Sequence, residues 1–358
     1  MGLGADMHAG GSGSRRPRRG AGALSRAPLA ATLACSAFVL ALVVAVGLMV
    51  GASSVGPLEL ARYLTGGDVS PVAGNILANM RIPRVAAGLL AGASLAVAGA
   101  LIQAVLDNPL ASPSVMGVNS GAGLAVLLTA AVPALGATGD PARLASAAFA
   151  GALAAALLVF AVSSRAGVSR LTVVLAGVAL NAVFGAGQNA VLTIVPNVYV
   201  GTSSFLVGGF SGVLMGDLAL PALFSLVGVA AALVLAPTLN VLTLGSESAH
   251  ALGVRVAAVR VAALAAASLL AASAVSFAGL LGFVGLVVPH LVRRVFGADA
   301  RRLVPLCAVW GAAFTVACDT FARTAFAPYE LPVGIPLAFV GGPFFIYLIM
   351  RGRGYRDQ

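Results

Sequence analysis

The sequence contains no lysine, and charged residues make up only 9% of its 358 positions. A soluble domain carries about a quarter charged residues, so this chain is too poor in them to cover a water-exposed globule. Without lysine it cannot build a P-loop, whose lysine reaches the β and γ phosphates of a nucleotide, and it does not hydrolyse ATP by itself. Cysteine is nearly absent. Cys35, Cys307 and Cys318 lie in apolar runs, and the spacing of the last two amounts to ~16 Å along a helix, beyond disulfide reach. His8, His250 and His290 have no carboxylate or thiol at ligand spacing. Neither a metal site nor a cofactor is implied.

Apolar residues are abundant, at 60% of the chain. They fall in charge-free runs of about 20 residues, the length of α-helix that crosses ~30 Å of hydrocarbon. Residues 1–27, rich in Gly, Ser and Arg, read as a disordered basic tail. A span follows at 29–51, too long for a signal-peptide core, and five more at 85–106, 114–132, 144–162, 171–195 and 218–237. Val261 to Val292 is uncharged throughout. As one helix it would run ~48 Å, too long for one crossing. The paired glycines Gly279 and Gly282 therefore divide it into a span at 257–278 and a shorter one at 283–297, kinked by Pro289. Spans at 303–320 and 331–350 complete an all-α integral membrane bundle of about ten transmembrane helices, covering 28–352, with 353–358 as a short tail.

All 21 basic residues are arginine and the formal charge is +10. They sit in short loops between spans, where they act as topology signals and not as a nucleic-acid footprint. With both termini cytoplasmic, 16 arginines lie inside and five outside: Arg62, Arg81, Arg84, Arg143 and Arg323. That asymmetry favours cytoplasmic termini.

Gly88 with Gly92, Gly117 with Gly121, and Gly208 with Gly212 fit the small-xxx-small pattern of close helix packing. Two interruptions, Gly201–Gly212 and 279–282, read either as pathway-lining breaks or as outer loops dipping into the bilayer. Between Gly245 and Gly253 a short helical pattern forms a candidate cytoplasmic knob. Asp319 and Glu330 are isolated carboxylates, a poor proton relay and better placed for structural pairing. A proton-coupled secondary transporter is thus a disfavoured alternative, and no clustered nucleophile, base or metal ligands suggest an enzyme.

Several segments in order resemble the FecCD family of ABC-importer permeases: Arg81-Ile-Pro-Arg84, Gly92 to Ala96 with Gly99 and Gln103, Asn108-Pro-Leu-Ala111 with Pro113 and Gly117, and Leu175 to Leu180. So do Leu244-Gly245 with Leu252-Gly253, Gly282 to Leu286, Val288-Pro-His290, Asp319, Arg323 and Glu330 to Gly334. The similarity covers roughly residues 29 to 352.

This resemblance implies a ten-helix permease in the cytoplasmic membrane. It would pair with a second permease, alike or different, bind two cytoplasmic ATP-binding subunits, and receive cargo from an external substrate-binding protein. The cargo would be a ferric siderophore, with haem or cobalamin as alternatives. Segment 244–256 would hold the coupling helices that seat in the ATPase, with Gly245, Glu247, Ala251, Leu252, Gly253 and Arg255 at the contact. Arg81, Arg84 and Arg323 would meet acidic residues on the binding protein. Asn108 and Leu110 would form an inner gate, with Ser169 in a second gate element. Asn181 and Gln188 would line the pathway, and interhelical hydrogen bonding is the competing role for Asn181. His290, matched irrespective of cargo, is expected to be structural.

Overall fold

The computed structural model describes residues 27–51, 55–132, 140–165 and 170–353. Residues 1–26 of the basic tail at 1–27, Ser169, and residues 354–358 of the short tail at 353–358 lie outside the described residues. In chain order the helices are α1 (Leu29–Met49), α2 (Pro57–Leu64), α3 (Pro71–Ile76), α4 (Ile82–Leu106), α5 (Val118–Ala131), α6 (Pro141–Arg165) and α7 (Arg170–Ile194). They continue as α8 (Val198–Val207), α9 (Ala219–Leu242), α10 (Ser246–Ala251), α11 (Val256–Ala278), α12 (Val284–Phe296), α13 (Ala300–Thr324) and α14 (Gly334–Arg353). No strand occurs among the described residues. Each of the ten spans read from the sequence coincides with one helix. Among the described residues, seven helical stretches are long and apolar enough to cross a membrane. The spans that fall short include α5, of 14 residues, and α12, of 13 with Pro289 inside it.

The second span is much longer than its apolar run suggests. Helix starts at Pro71, with Ser70 capping Ala73 N, and continues through a π turn at Leu77–Arg81 into α4. Pro83 accounts for that turn, because its ring clashes with the carbonyl four residues back and a wider turn relieves the conflict. The Ile82 N–H accordingly reaches Leu77 O.

Helix α4 is the bundle axis and packs on α9, α11, α12 and α13. In its most apolar stretch 78% of residues are buried, against 11% for α1, so α4 is core and α1 periphery. In hydrocarbon no hydrophobic effect drives helices together, so close approach of small residues and interhelical hydrogen bonds must do so. A methyl group at Gly92 would overlap the Gly311 carbonyl of α13, and one at Gly99 would overlap the Gly285 carbonyl of α12. Gly121 of α5 meets Gly151 of α6 in the same way. Ser94, Ser225 and Ser273 form a buried hydroxyl chain joining α4, α9 and α11. Not every glycine pair read as small-xxx-small serves this purpose. Gly208 and Gly212 both have positive φ and lie after the end of α8, and Gly117 is the left-handed residue before α5.

The two ends of the bundle are chemically distinct. At the proximal end, where α1 starts, Arg302 donates to Ala27 O, and Asn240 of α9 holds Asp299 and the start of α13. The C-terminus of α4 and the whole of α10 lie at that end. At the distal end the last carbonyls of α1 meet Arg81 and Arg323.

Candidate functional site

At the distal end, the π turn and the first turn of α4 direct Arg81 and Arg84 inward, leaving them 4% and 9% exposed. Arg81 Nη1 donates to Leu48 O at 2.6 Å and Arg323 Nη2 to Gly47 O at 2.9 Å. Both therefore satisfy carbonyls left open at the C-terminus of α1, where a cation is also favoured by the helix dipole. Arg84 Nε lies 3.0 and 3.1 Å from the two Asp319 oxygens, and its Nη1 donates to Glu330 Oε2 at 2.6 Å. Arg323 Nε sits 3.1 Å from Asp319 Oδ2, an ion pair without hydrogen-bond alignment. The three arginines expected at an outer docking surface are thus engaged with partners within the chain. The pairing of Asp319 and Glu330 matches the sequence expectation. What sequence reasoning missed is the α1 terminus as partner. The signal lay in Asp319 and Arg323, one turn apart in an apolar helix.

The two interruptions come together beside this cluster. Gly208, at φ 83°, ends α8. Gly209 N then donates to Ala278 O at 2.9 Å, Leu280 N to Phe205 O at 3.0 Å, and Gly334 N to Gly208 O at 3.1 Å. Three chain breaks, after α8, after α11 and before α14, satisfy one another's backbone groups, as non-helical backbone at membrane depth requires. A cavity of about 390 Å³ opens next to the seam, lined in part by Ser204, Phe205, Ser211, Gly279 and Pro332.

At the proximal end, α4 stops at Asp107, whose φ is 46°. Asn108 follows, exposed, and its Oδ1 accepts the Leu110 N–H at 2.9 Å, fixing a tight loop with Leu110 half-buried. Asn181 and Gln188 turn towards α5. Ser120 Oγ donates to Asn181 Oδ1, Asn181 Nδ2 donates to Ser114 O at 3.0 Å, and Gln188 Nε2 donates to Ser120 O at 2.8 Å. Interhelical bonding therefore occupies both side chains expected in the pathway. The outward face of α7 carries Leu171, Leu175, Val178 and Val183 instead.

The knob is α10, bounded by Gly245 at φ 99° and Gly253 at φ 81°. Ala249 is buried against the bundle, and Arg260 Nη2 holds Ser246 Oγ at 2.9 Å. Glu247, Ala251, Gly253 and Arg255 are exposed, Gly245 is half-buried, and Leu244 and Leu252 stand 62% and 65% exposed. His290 makes an edge-to-face contact with Phe344 at 5.6 Å, a packing role.

The model of the FecCD transport family matches residues 39–351. The chain is 36% identical over 325 residues to the Fe(3+)-citrate import system permease protein YfmD of Bacillus subtilis, covering 89% of this chain and 96% of that one. It is 38% identical over 331 residues to the hemin transport system permease protein HmuU of Yersinia pestis, covering 88% and 96%. The cobalamin import system permease protein BtuC of Halobacterium salinarum is 42% identical over 282 residues, 76% of this chain and 73% of that protein. Among solved structures, an inward-facing metal-chelate type ABC transporter superposes with a TM-score of 0.78 at 27% identity, covering 90% of this chain and 99% of the other. A bundle with stitched helix breaks, no nucleotide-binding loop and a projecting helical knob thus meets a family match along nearly its whole length: the chain belongs to the FecCD transport family, as a multi-pass permease subunit of an ABC importer and not an enzyme.

Proposed function

We propose that this permease moves a ferric-siderophore type chelate across the cytoplasmic membrane, with both termini in the cytoplasm. A second permease, identical or related, completes the pathway, two ATP-binding subunits drive it, and an external binding protein delivers the cargo. The observation that carries this reading is α10. Two apolar side chains, Leu244 and Leu252, project into solvent on either side of a short helix anchored by Ala249, on a chain with no P-loop lysine of its own. An exposed apolar pair on such a projection is costly unless a partner covers it. Closure of the ATPase pair on nucleotide would push this knob and shift the bundle as a body.

The loop at Asn108 and Leu110 serves as the inner gate in this scheme, with Ser169 assigned to a second gate element. Arg81, Arg84 and Arg323 act through the shape of the distal end and not by touching the binding protein. Cargo choice rests on the similarity to iron-chelate permeases, with haem and cobalamin as the alternatives. A proton-coupled mechanism is disfavoured by the ion pairs that hold Asp319 and Glu330.

The test is to express the full importer with Leu244→Glu and Leu252→Glu together. Copurification of the ATPase and uptake of radiolabelled ferric siderophore should both fall about tenfold or more, as expected when charge is forced into an apolar contact. Uptake at the native rate would refute the coupling role. Competition by haem or cobalamin, but not by the siderophore, would reassign the cargo alone.

A further inference from the structure

Pro289 lacks an N–H, so within α12 the carbonyl of Gly285, four residues earlier, has no helical donor. A buried carbonyl at membrane depth must find another. It finds one on a different helix: Gln103 Nε2 of α4 lies 3.3 Å from Gly285 O. The approach is open because Gly99 and Gly285 face each other without side chains.

The same amide nitrogen lies 3.2 Å from the carbonyl of Ala111, whose N–H closes the loop of Asn108 and Leu110 on Asn108 O. The backbone carbonyl of Gln103 also accepts the Asn108 N–H at 3.1 Å. On its other side, Gln103 Oε1 accepts from Arg293 Nη1 at 3.0 Å. Arg293 stands one turn beyond Pro289, in the last turn of α12. One side chain, 3% exposed, therefore grips α12 before its proline and after it, and holds the gate loop with the same amide. Only a neutral amide offers donors to the carbonyls and an acceptor to the guanidinium together.

We infer that Gln103 is a positioning residue that couples bending of α12 at Pro289 to the position of the 107–111 loop. Any change of bend moves Gly285 O relative to Arg293. Gln103 must follow, and Ala111 moves with it. This rests on the proposal that the loop is the inner gate, and the experiment separates the two.

The reporter is Pro109→Cys, an exposed loop position, in the complete importer in inside-out vesicles. A water-soluble maleimide does not reach Cys307 and Cys318, which are buried, and Cys35, exposed on α1, is replaced by Ala in every variant. With Gln103 intact, the labelling rate should differ about tenfold between the nucleotide-free and ATP-trapped states. In Gln103→Leu the difference should shrink to about twofold or less, with ATP hydrolysis continuing and uptake per ATP falling in parallel. Pro289→Ala, which gives Gly285 O a helical donor and leaves the loop untouched, should have the same effect and is not expected to impair folding. A purely structural role for Gln103 would lower the yield of the complex and leave the nucleotide-dependent difference in place, which would overturn the inference while the gate stands. No nucleotide-dependent difference in the chain with native Gln103 would overturn the gate itself, and the inference with it.

Discussion

Replacing Asp319 by Asn keeps its size and removes the one charge shared by two buried guanidinium groups. Asp319 is 2% exposed, and its oxygens lie 3.0 and 3.1 Å from Arg84 Nε and 3.1 Å from Arg323 Nε. Arg84 retains Glu330, whereas Arg323 Nη2 keeps the Gly47 carbonyl and the Thr320 hydroxyl, both uncharged. Removing one partner from a buried pair costs about 3–5 kcal/mol, because the other charge stays desolvated. The Glu330 side chain is 37% exposed, so Glu330→Gln should cost about 1 kcal/mol or less, since water screens the pair. Thermal unfolding of the detergent-solubilised permease, followed by size-exclusion, should therefore show a midpoint lowered on the order of 10 °C for Asp319→Asn and by about 2 °C for Glu330→Gln. Equal and small shifts would refute the view that the distal arginines are structural. An Asp319→Asn chain of native stability that has lost affinity for its binding protein would return those arginines to the docking surface.

Gly92→Leu should disrupt the α4–α13 crossing and cost about 1–3 kcal/mol by overpacking, whereas Gly185→Ala, with nothing within 4 Å of an added methyl, should be neutral or stabilising. The same unfolding assay compares them. Ala251→Cys should react with a membrane-impermeant maleimide in inside-out vesicles and stay unreactive in right-side-out cells, and the reverse pattern would invert the topology. Asn181→Leu removes the bonds to Ser120 and Ser114 while leaving the outer face of α7 unchanged. It should lower stability by about 1–2 kcal/mol with cargo preference intact, and altered preference in competition uptake would place Asn181 in the pathway.

Chain order and span positions were legible because charge-free runs and the Gly279–Gly282 break are local signals. The start of the second span was not. Pro71, Ser70 and the π turn extend it through a segment with ordinary polar residues, and Pro83 reads in sequence as a helix start and not as a proline tolerated inside a longer helix. The carboxylate pairing was legible because a charge in an apolar helix needs a partner. Which arginines supplied it was not, since Arg84 and Asp319 are 235 positions apart. The outward role given to Arg81, Arg84 and Arg323 came from resemblance alone, and burial is a tertiary property that no spacing reports. For Asn181 and Gln188, amides on an apolar helix signal a polar neighbour, and the sequence is silent on whether that neighbour is water or Ser120.

The seam at the distal end is sewn with main-chain atoms only. A side chain at Gly279 or Gly334 would strike the Phe205 or Val207 carbonyl, and Gly208 holds a positive φ, so the frame persists only while each of the three segments keeps its glycine. A chimaera that imports one of these three segments from a distant relative should fail unless the other two travel with it.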